Sequence, residues 1–592
     1  MLRHRIHVES VVLILCCVYI TDGQEVNTSQ GRLRGTTLSV RGKHVDVFHG
    51  IPFAKPPVGN LRFKHPTPPD SWAPEIRNAT EEKPSCLQPR DIFSFPEDYR
   101  KTPGNLSEDC LYLSLWRPSN ISQASNLAVM VFIYGGGWGM GSIRLGLYNG
   151  QYLAAENDII LVSINYRLGP LGFGYLGPDT IPGNMGLMDQ RMALKWVNDN
   201  IARFGGDVNR ITIFGESAGA VSVGLHLLSP LSRDLFKYGV LESGSPNQPV
   251  SRQVYQDHDT ARSYVRTFGA IVGCTGSTDA DLFTCLQKVE ADAITPAFVK
   301  GLEHGRAHSP VTDKYFMLDD PLTLMKTGQY KKTNILQGCN KDESTVLVLP
   351  LMTNFTRDGL TREKYLEIMK SYTRFSGPES KTEALRLFYE EMQDPVEPMN
   401  YIQVLNNIRD DLEFTCRAVA FSSYYAEHND TYMYSFNHRL STSRYPSWIG
   451  ATHTYELEMV FGLPLDRSLG FQQDEVELSR TIMTYWTNFA KTGNPNKPVA
   501  VRSKWAAFKQ PRAQYMALDV GDNLATRQRL HHQRCNFINN ILSLVQEDNS
   551  KDKDMTPAST APCTNASLRS SCARLLNIMA LMTGVLLMGL LD

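Results

Sequence analysis

The chain has 592 residues, 60 Lys+Arg against 61 Asp+Glu, a formal net charge of −1 and 42% hydrophobic residues. So even a balance offers no basic face for nucleic acid, and the apolar content suffices for a large core. No internal repeat and no Pro/Ser-rich linker occurs before residue 546, so 24–545 reads as one large domain.

The first residues, Met1-Leu2-Arg3-His4-Arg5, are basic, and the apolar run 11–20 that follows is too short to span a bilayer. With Thr21-Asp22-Gly23 behind it, 1–23 reads as a secretory leader cleaved near Gly23. Residues 30–65 alternate strand-like runs with Gly and Pro, as an antiparallel opening would. A strand is expected over 110–116, and 127–134 is continuously apolar, like a central strand buried on both faces. It runs into Gly135-Gly136-Gly137-Trp138, and 159–166 repeats the buried-strand pattern. Residues 184–204 carry a helix with Met188, Met192, Leu194, Trp196 and Val197 as its apolar positions.

Ile211-Thr212-Ile213-Phe214 is a strand, Gly215-Glu216-Ser217-Ala218-Gly219 a tight turn, and 220–228 a buried helix ending near Pro230. Later strands are expected over 238–244 and 333–338. Residues 355–425 are helix-rich, and 478–491 and 527–544 read as amphipathic helices. Strands alternating with helices imply an α/β fold with a mostly parallel sheet covered on both sides.

Strand, G-x-S-x-G and helix together form the context in which a serine is exposed as a nucleophile. Small residues are needed at 215 and 219 because strand and helix approach closely there. The Ala218 N–H then faces the place where an oxyanion would form, and the glycines after the 127–134 strand supply further N–H groups without side chains in the way. A serine needs a base, and the base needs a carboxylate to orient it, in chain order acid then histidine. Of 14 histidines, His453 stands in a loop between predicted elements. His226 reads as packed within a helix, and His531 and His532 as lying on an exposed helix face. At the end of the 333–338 strand, Asp342 and Glu343 are both candidates for the acid.

Of 11 cysteines, Cys16 and Cys17 fall in the leader. Cys86, Cys110, Cys274, Cys285, Cys416 and Cys535 suit disulfides of an oxidising compartment, whose connectivity the spacing does not give. Cys339, in an apolar run, reads as a buried thiol, and Cys563 as a candidate intermolecular bridge that would make a homodimer. Asn27, Asn78, Asn105, Asn120, Asn354 and Asn429 head glycosylation sequons. The tail 546–567 precedes a polar spacer and an apolar end, so 568–592 reads as the propeptide of a glycosylphosphatidylinositol anchor attached near Asn565. These features place the mature protein on the outer face of the cell membrane, or secreted, with no nucleic-acid partner.

The motifs G-E-S-A-G, G-G-G-W, N-K-D-E-S, H-T-Y-E-L-E, F-G-L-P-L and S-E-D-C-L-Y-L-S-L-W together resemble those of the cholinesterase and type-B carboxylesterase family, over roughly 28–540. The resemblance implies an α/β-hydrolase fold, with Ser217 as nucleophile, His453 as base, Glu343 as acid, and Gly136, Gly137 and Ala218 as oxyanion donors. It also implies the pairs Cys86–Cys110, Cys274–Cys285 and Cys416–Cys535. The chemistry implied is hydrolysis of a small-molecule ester through an acyl-enzyme, with no metal and no cofactor. The competing class is a non-catalytic adhesion or binding protein of the same scaffold, yet all three triad positions are filled here.

The pocket departs from the family. Cholinesterases carry a choline-binding tryptophan ten residues before the second cysteine of the first loop, where this chain has Arg100, with Tyr99 beside it. Val346 stands where an aromatic is expected after the acid, Val250 where a tryptophan is expected, and His304 and Arg306 where acyl-pocket phenylalanines are expected. Glu216, Tyr148 and Asp91 are retained, and Glu216, Trp138, Tyr148, Tyr99 and Val346 are the pocket candidates. The expectation is ester hydrolysis with weak preference for acylcholines.

Overall fold

The computed structural model describes residues 21–545, apart from 90–99, 102–103, 248–256, 304–307, 349–359, 372–378 and 394–397. The chain opens antiparallel: β1 (Thr21–Asn27) pairs with β2 (Arg32–Val40), and β2 with β3 (Lys43–Pro52). β1 begins inside the expected leader, so cleavage near Gly23 would leave 24–27 paired to β2. A short β4 (Ile76–Asn78) adds to β2 in parallel. β5 (Ser85–Cys86) and β6 (Leu106–Ser107) form a separate pair within the Cys86–Cys110 loop.

The long apolar runs become the sheet's centre. β7 (Tyr112–Pro118) joins β3 to the interior, followed by β8 (Leu127–Ile133), β9 (Ile159–Ile164), β10 (Gly206–Glu216), β11 (Tyr238–Glu242) and β12 (Ile335–Asn340). β13 (Thr431–Phe436), β14 (Gln514–Leu518) and β15 (Ala525–Gln528) complete it. Among the described residues the sheet has 13 strands, in the order β1-β2-β3-β7-β9-β8-β10-β11-β12-β13-β14-β15, with β4 beside β2. From β9 to β14 all pairings are parallel, whereas both flanks are antiparallel apart from the short β4 beside β2. The polar groups of such a centre are satisfied by the ladder, and helices shield both faces from water. Strand order reverses at β8, and open α/β sheets place their crevice at that point, beyond the carboxyl ends of the strands.

Helix Gln473–Thr492 turns Ile482, Tyr485, Trp486 and Phe489 into the core, so its apolar stripe is spent on intramolecular packing. The amphipathic helix expected over 527–544 is not continuous. β15 takes its first residues, Arg527 and Gln528, in pairing with β14, and a helix starts only at His532–Asn536, extended by a π turn at Phe537–Ile541. The reason is ladder pairing with β14, which satisfies the backbone before a helix can start. His531 is not on an exposed helix face either: its Nδ1 lies 2.7 Å from Asp411 Oδ1, and it caps the helix at φ 47. His532 is exposed.

Three disulfides join Cys86–Cys110, Cys274–Cys285 and Cys416–Cys535, and Cys339 is a buried free thiol on β12. The last closes a separation of 119 residues, worth about 4–5 kcal/mol on a chain-entropy account. Asn27, Asn78, Asn105 and Asn120 are exposed, and Asn429 is half-buried. Asn354, Asn565 and Cys563 lie outside the described residues. No helix among the described residues is long and apolar enough to cross a membrane. The compact unit ends at Val545.

Candidate active site

β10 delivers Ser217 to a sharp turn, and helix Ala218–Leu228 leaves from it. Ser217 sits at φ 56, ψ −124, a conformation L residues avoid. Its N–H donates to Glu242 O at 2.8 Å, and its carbonyl accepts from Val221 N at 3.0 Å, so backbone bonds on both sides hold the strain. A Cβ on Gly215 would stand 2.5 Å from Ile133 O, and one on Gly219 2.0 Å from the same atom. A backbone oxygen cannot rotate aside, which is the local reason for glycine on both sides of the serine.

The loop after β8 lies against Ser217. A Cβ on Gly135 would meet Ser217 Cβ at 2.9 Å. Gly136 and Gly137 have φ of 100 and 60, and Trp138 follows at φ 57, buried, with Nε1 donating to Ser222 Oγ at 3.1 Å. Among the described residues the N–H groups of Gly136, Gly137 and Ala218 have no protein acceptor. Ala218 is the first residue of its helix, so its N–H has no partner within that helix either.

His453 and Glu343 meet at 2.6 Å, Nδ1 to Oε2. Glu343 Oε1 accepts from Asn340 N at 2.7 Å, and its carbonyl accepts from His453 N at 3.3 Å. Asp342, the other sequence candidate, points away: its Oδ2 accepts from Ala451 N at 3.0 Å, and it braces the loop that carries the histidine. The other imidazole nitrogen, Nε2, lies 3.1 Å from Glu216 Oε1. That approach lacks hydrogen-bond alignment, since Glu216 Oε1 accepts no hydrogen bond. Among the described residues no hydrogen bond joins Ser217 Oγ to the imidazole.

Burial disfavours a charged imidazole, but Glu216 and Glu343 outweigh it and raise the pKa of His453 above the ordinary histidine value. Glu216 is itself raised by burial, with His453 opposing and Glu343 reinforcing the shift. Glu456, fully buried, is raised by burial and then by the same two carboxylates. It accepts from Ser243 Oγ at 3.2 Å and from Asn340 Nδ2. Tyr148 is buried, its phenol raised by burial and by Glu216, and its ring stands 4.7 Å from Phe132. His226 is a packed histidine: it bonds Ser232 Oγ and Gln190 Oε1, and burial lowers its pKa to about 3.

Several residues beside the site carry no signal in the sequence. Phe414 covers His453, ring centroids 5.1 Å apart. Phe298 closes on the glycine loop, 3.2 Å from where a Cβ on Gly139 would be and 2.8 Å from one on Gly169. Val346 is buried with Ile449, and its N–H donates to Thr452 Oγ1 at 3.1 Å. Arg100 is buried and ion-paired with Glu458. Tyr99, Asp91, Val250, His304 and Arg306 lie outside the described residues.

Comparison with known proteins agrees with this architecture. The model of the Carboxylesterase family matches residues 22–538. The chain is 38% identical to an acetylcholinesterase of Bungarus fasciatus, over 90% of this chain and 89% of that protein. It is 38% identical to a cholinesterase of Mus musculus, over 89% of each. It is 36% identical to an acetylcholinesterase of Electrophorus electricus, over 90% of this chain and 91% of that one. The chain therefore belongs to the carboxylesterase family of ester hydrolases, with the α/β-hydrolase fold.

Proposed function

We propose that the protein is a serine esterase working through an acyl-enzyme. Ser217 Oγ attacks the ester carbonyl, His453 takes its proton and returns it to the alcohol leaving group, and water repeats the cycle on the acyl-enzyme. Glu343 orients the imidazole, and Gly136, Gly137 and Ala218 N–H stabilise the oxyanion. The observation that carries this reading is the 2.6 Å contact of Glu343 with His453 beside a serine held at φ 56. Ser217→Ala should abolish hydrolysis of phenyl acetate. A variant as fast as the parent would overturn the assignment and favour a binding role.

Acylcholines are only weakly preferred over neutral esters of similar size in this reading. A quaternary ammonium is held by aromatic faces worth about 0.5–2 kcal/mol each. Arg100 and Val346 take two of the positions where the resemblance puts aromatics, and Arg100 brings a buried cation.

The route is secretory, with a leader over 1–23, and the mature chain is held outside the cell by a lipid anchor near Asn565. The disulfides and the exposed sequons suit that route. Phosphatidylinositol-specific phospholipase should release activity from intact cells; activity that stays bound would refute the anchor. Cys563 supports a disulfide-linked dimer, which Cys563→Ser should reduce to monomers on non-reducing gels.

A further inference from the structure

Thr454 follows the histidine of the site and has φ 76. Among the described residues it is the only β-branched residue at positive φ. Threonine is strained there, because its Cβ crowds the following carbonyl and its branched side chain has few rotamers to escape into. Backbone bonds brace the turn, Tyr455 N to Thr452 O at 3.2 Å and Leu457 N to Thr454 O at 3.1 Å, and the side-chain contact on Thr454 comes from Arg100, on the Cys86–Cys110 loop.

The Arg100 guanidinium spans both sides of the turn. Nη1 donates to Thr454 Oγ1 and Nη2 to Thr454 O at 3.4 Å, while Nε donates to Glu458 Oε1 at 3.0 Å, an oxygen that Nη2 also reaches. Its Cζ lies 5.5 Å from the Tyr455 ring centroid. The arginine side chain is 2% exposed and Glu458 is 0% exposed, so water does not compete for these bonds. Glu458 belongs to helix Glu456–Val460, which starts right after the turn. One planar fork therefore grips the strained residue and the helix behind it, a task lysine's single ammonium cannot repeat.

We propose that Arg100 is a positioning residue of this hydrolase: through Thr454 it fixes the peptide that aims His453. The inference rests on the reading of Ser217 and His453 given above. Without the clamp, Thr454 relaxes toward negative φ, the 453–454 peptide turns, and the imidazole leaves its place between Glu343 and Glu216. Arg100 is thereby tied to the site through Thr454 rather than through the substrate.

The test uses phenyl acetate and the full chain. Arg100→Lys keeps a cation beside Glu458 but loses the fork, and should lower kcat at least ~10-fold while KM stays within about twofold, as small misplacements of a catalytic group do. Adding Thr454→Gly should return most of the lost kcat, because glycine occupies φ 76 without strain. If Arg100→Lys alone fails to fold, the same comparison is made in Arg100→Gln/Glu458→Gln, which leaves no unpaired buried charge. Unchanged kcat in these variants overturns the proposal. So does a loss that Thr454→Gly leaves in place, which would make Arg100 a stabilising residue only. A parent without Ser217-dependent hydrolysis overturns the reading of the site, and this inference with it.

Discussion

His453 Nε2 stands 3.1 Å from Glu216 Oε1, on the ring edge opposite its 2.6 Å bond to Glu343. The imidazole is thus held between two buried carboxylates, both of which stabilise its protonated form. A base must be deprotonated to act, so kcat/KM should rise with pH through a limb above the ordinary histidine range. The limb belongs to the coupled cluster rather than to one residue.

Glu216→Gln removes one of the charges that raise His453 and keeps the side-chain shape. The histidine then loses its proton more easily, so the acidic limb should move to lower pH, by about 1 unit or more. A pH profile of kcat/KM for phenyl acetate checks this. A limb that stays put would show that Glu216 does not tune the base.

Gly137 separates stability from chemistry. A Cβ there meets nothing within 4 Å, so Gly137→Ala pays only for φ 60, on the order of 1–2 kcal/mol. If its N–H is an oxyanion donor, kcat should fall about 10²-fold or more. Gly136→Ala differs, since its Cβ would press on Met140 O at 2.4 Å and should cost stability as well. Urea unfolding midpoints measured beside kcat distinguish the two.

Acetylcholine and its uncharged isostere 3,3-dimethylbutyl acetate should have kcat/KM values within about tenfold, the discrimination of roughly one weak cation–π contact. A value for acetylcholine near the diffusional ceiling of ~10⁸ M⁻¹s⁻¹, far above the isostere, would refute the reading of the pocket.

His438 lies away from the site, 3.0 Å from Glu475 Oε1 and 3.4 Å from Asp519 Oδ1. Burial opposes its charge, but the two carboxylates prevail and raise its pKa to about 9, against 6.5 for the ordinary group. A raised folded-state pKa stabilises the fold fully below the unfolded value. That stability is lost as pH rises through about 9. The melting-temperature gap between parent and His438→Gln should therefore narrow from pH 6.5 to pH 9. A gap independent of pH would contradict this.

Much of the fold was legible because its signals are local. The apolar runs at 127–134 and 159–162 lack polar alternation, as strands buried on both faces do, and they lie in β8 and β9. The glycines around Ser217 reflect crowding against Ile133 O, a steric demand that leaves its mark on composition. The segment 527–544 was misleading because helical periodicity says nothing of a neighbouring strand able to pair first.

Within the site, chemistry named the residue types but not the contacts. Asp342 and Glu343 are adjacent carboxylates; the turn sends one to Ala451 N and the other to His453. The sequence by itself determined the strand, turn and helix around Ser217, because those follow from apolar patterning and from the space a Cβ needs. Only the tertiary structure decided that Arg100 meets Thr454 across 354 residues and that Glu216 faces His453. Charge stabilisation and relief of strain depend on distance and on exclusion of water, and neither exists until the chain has closed around them.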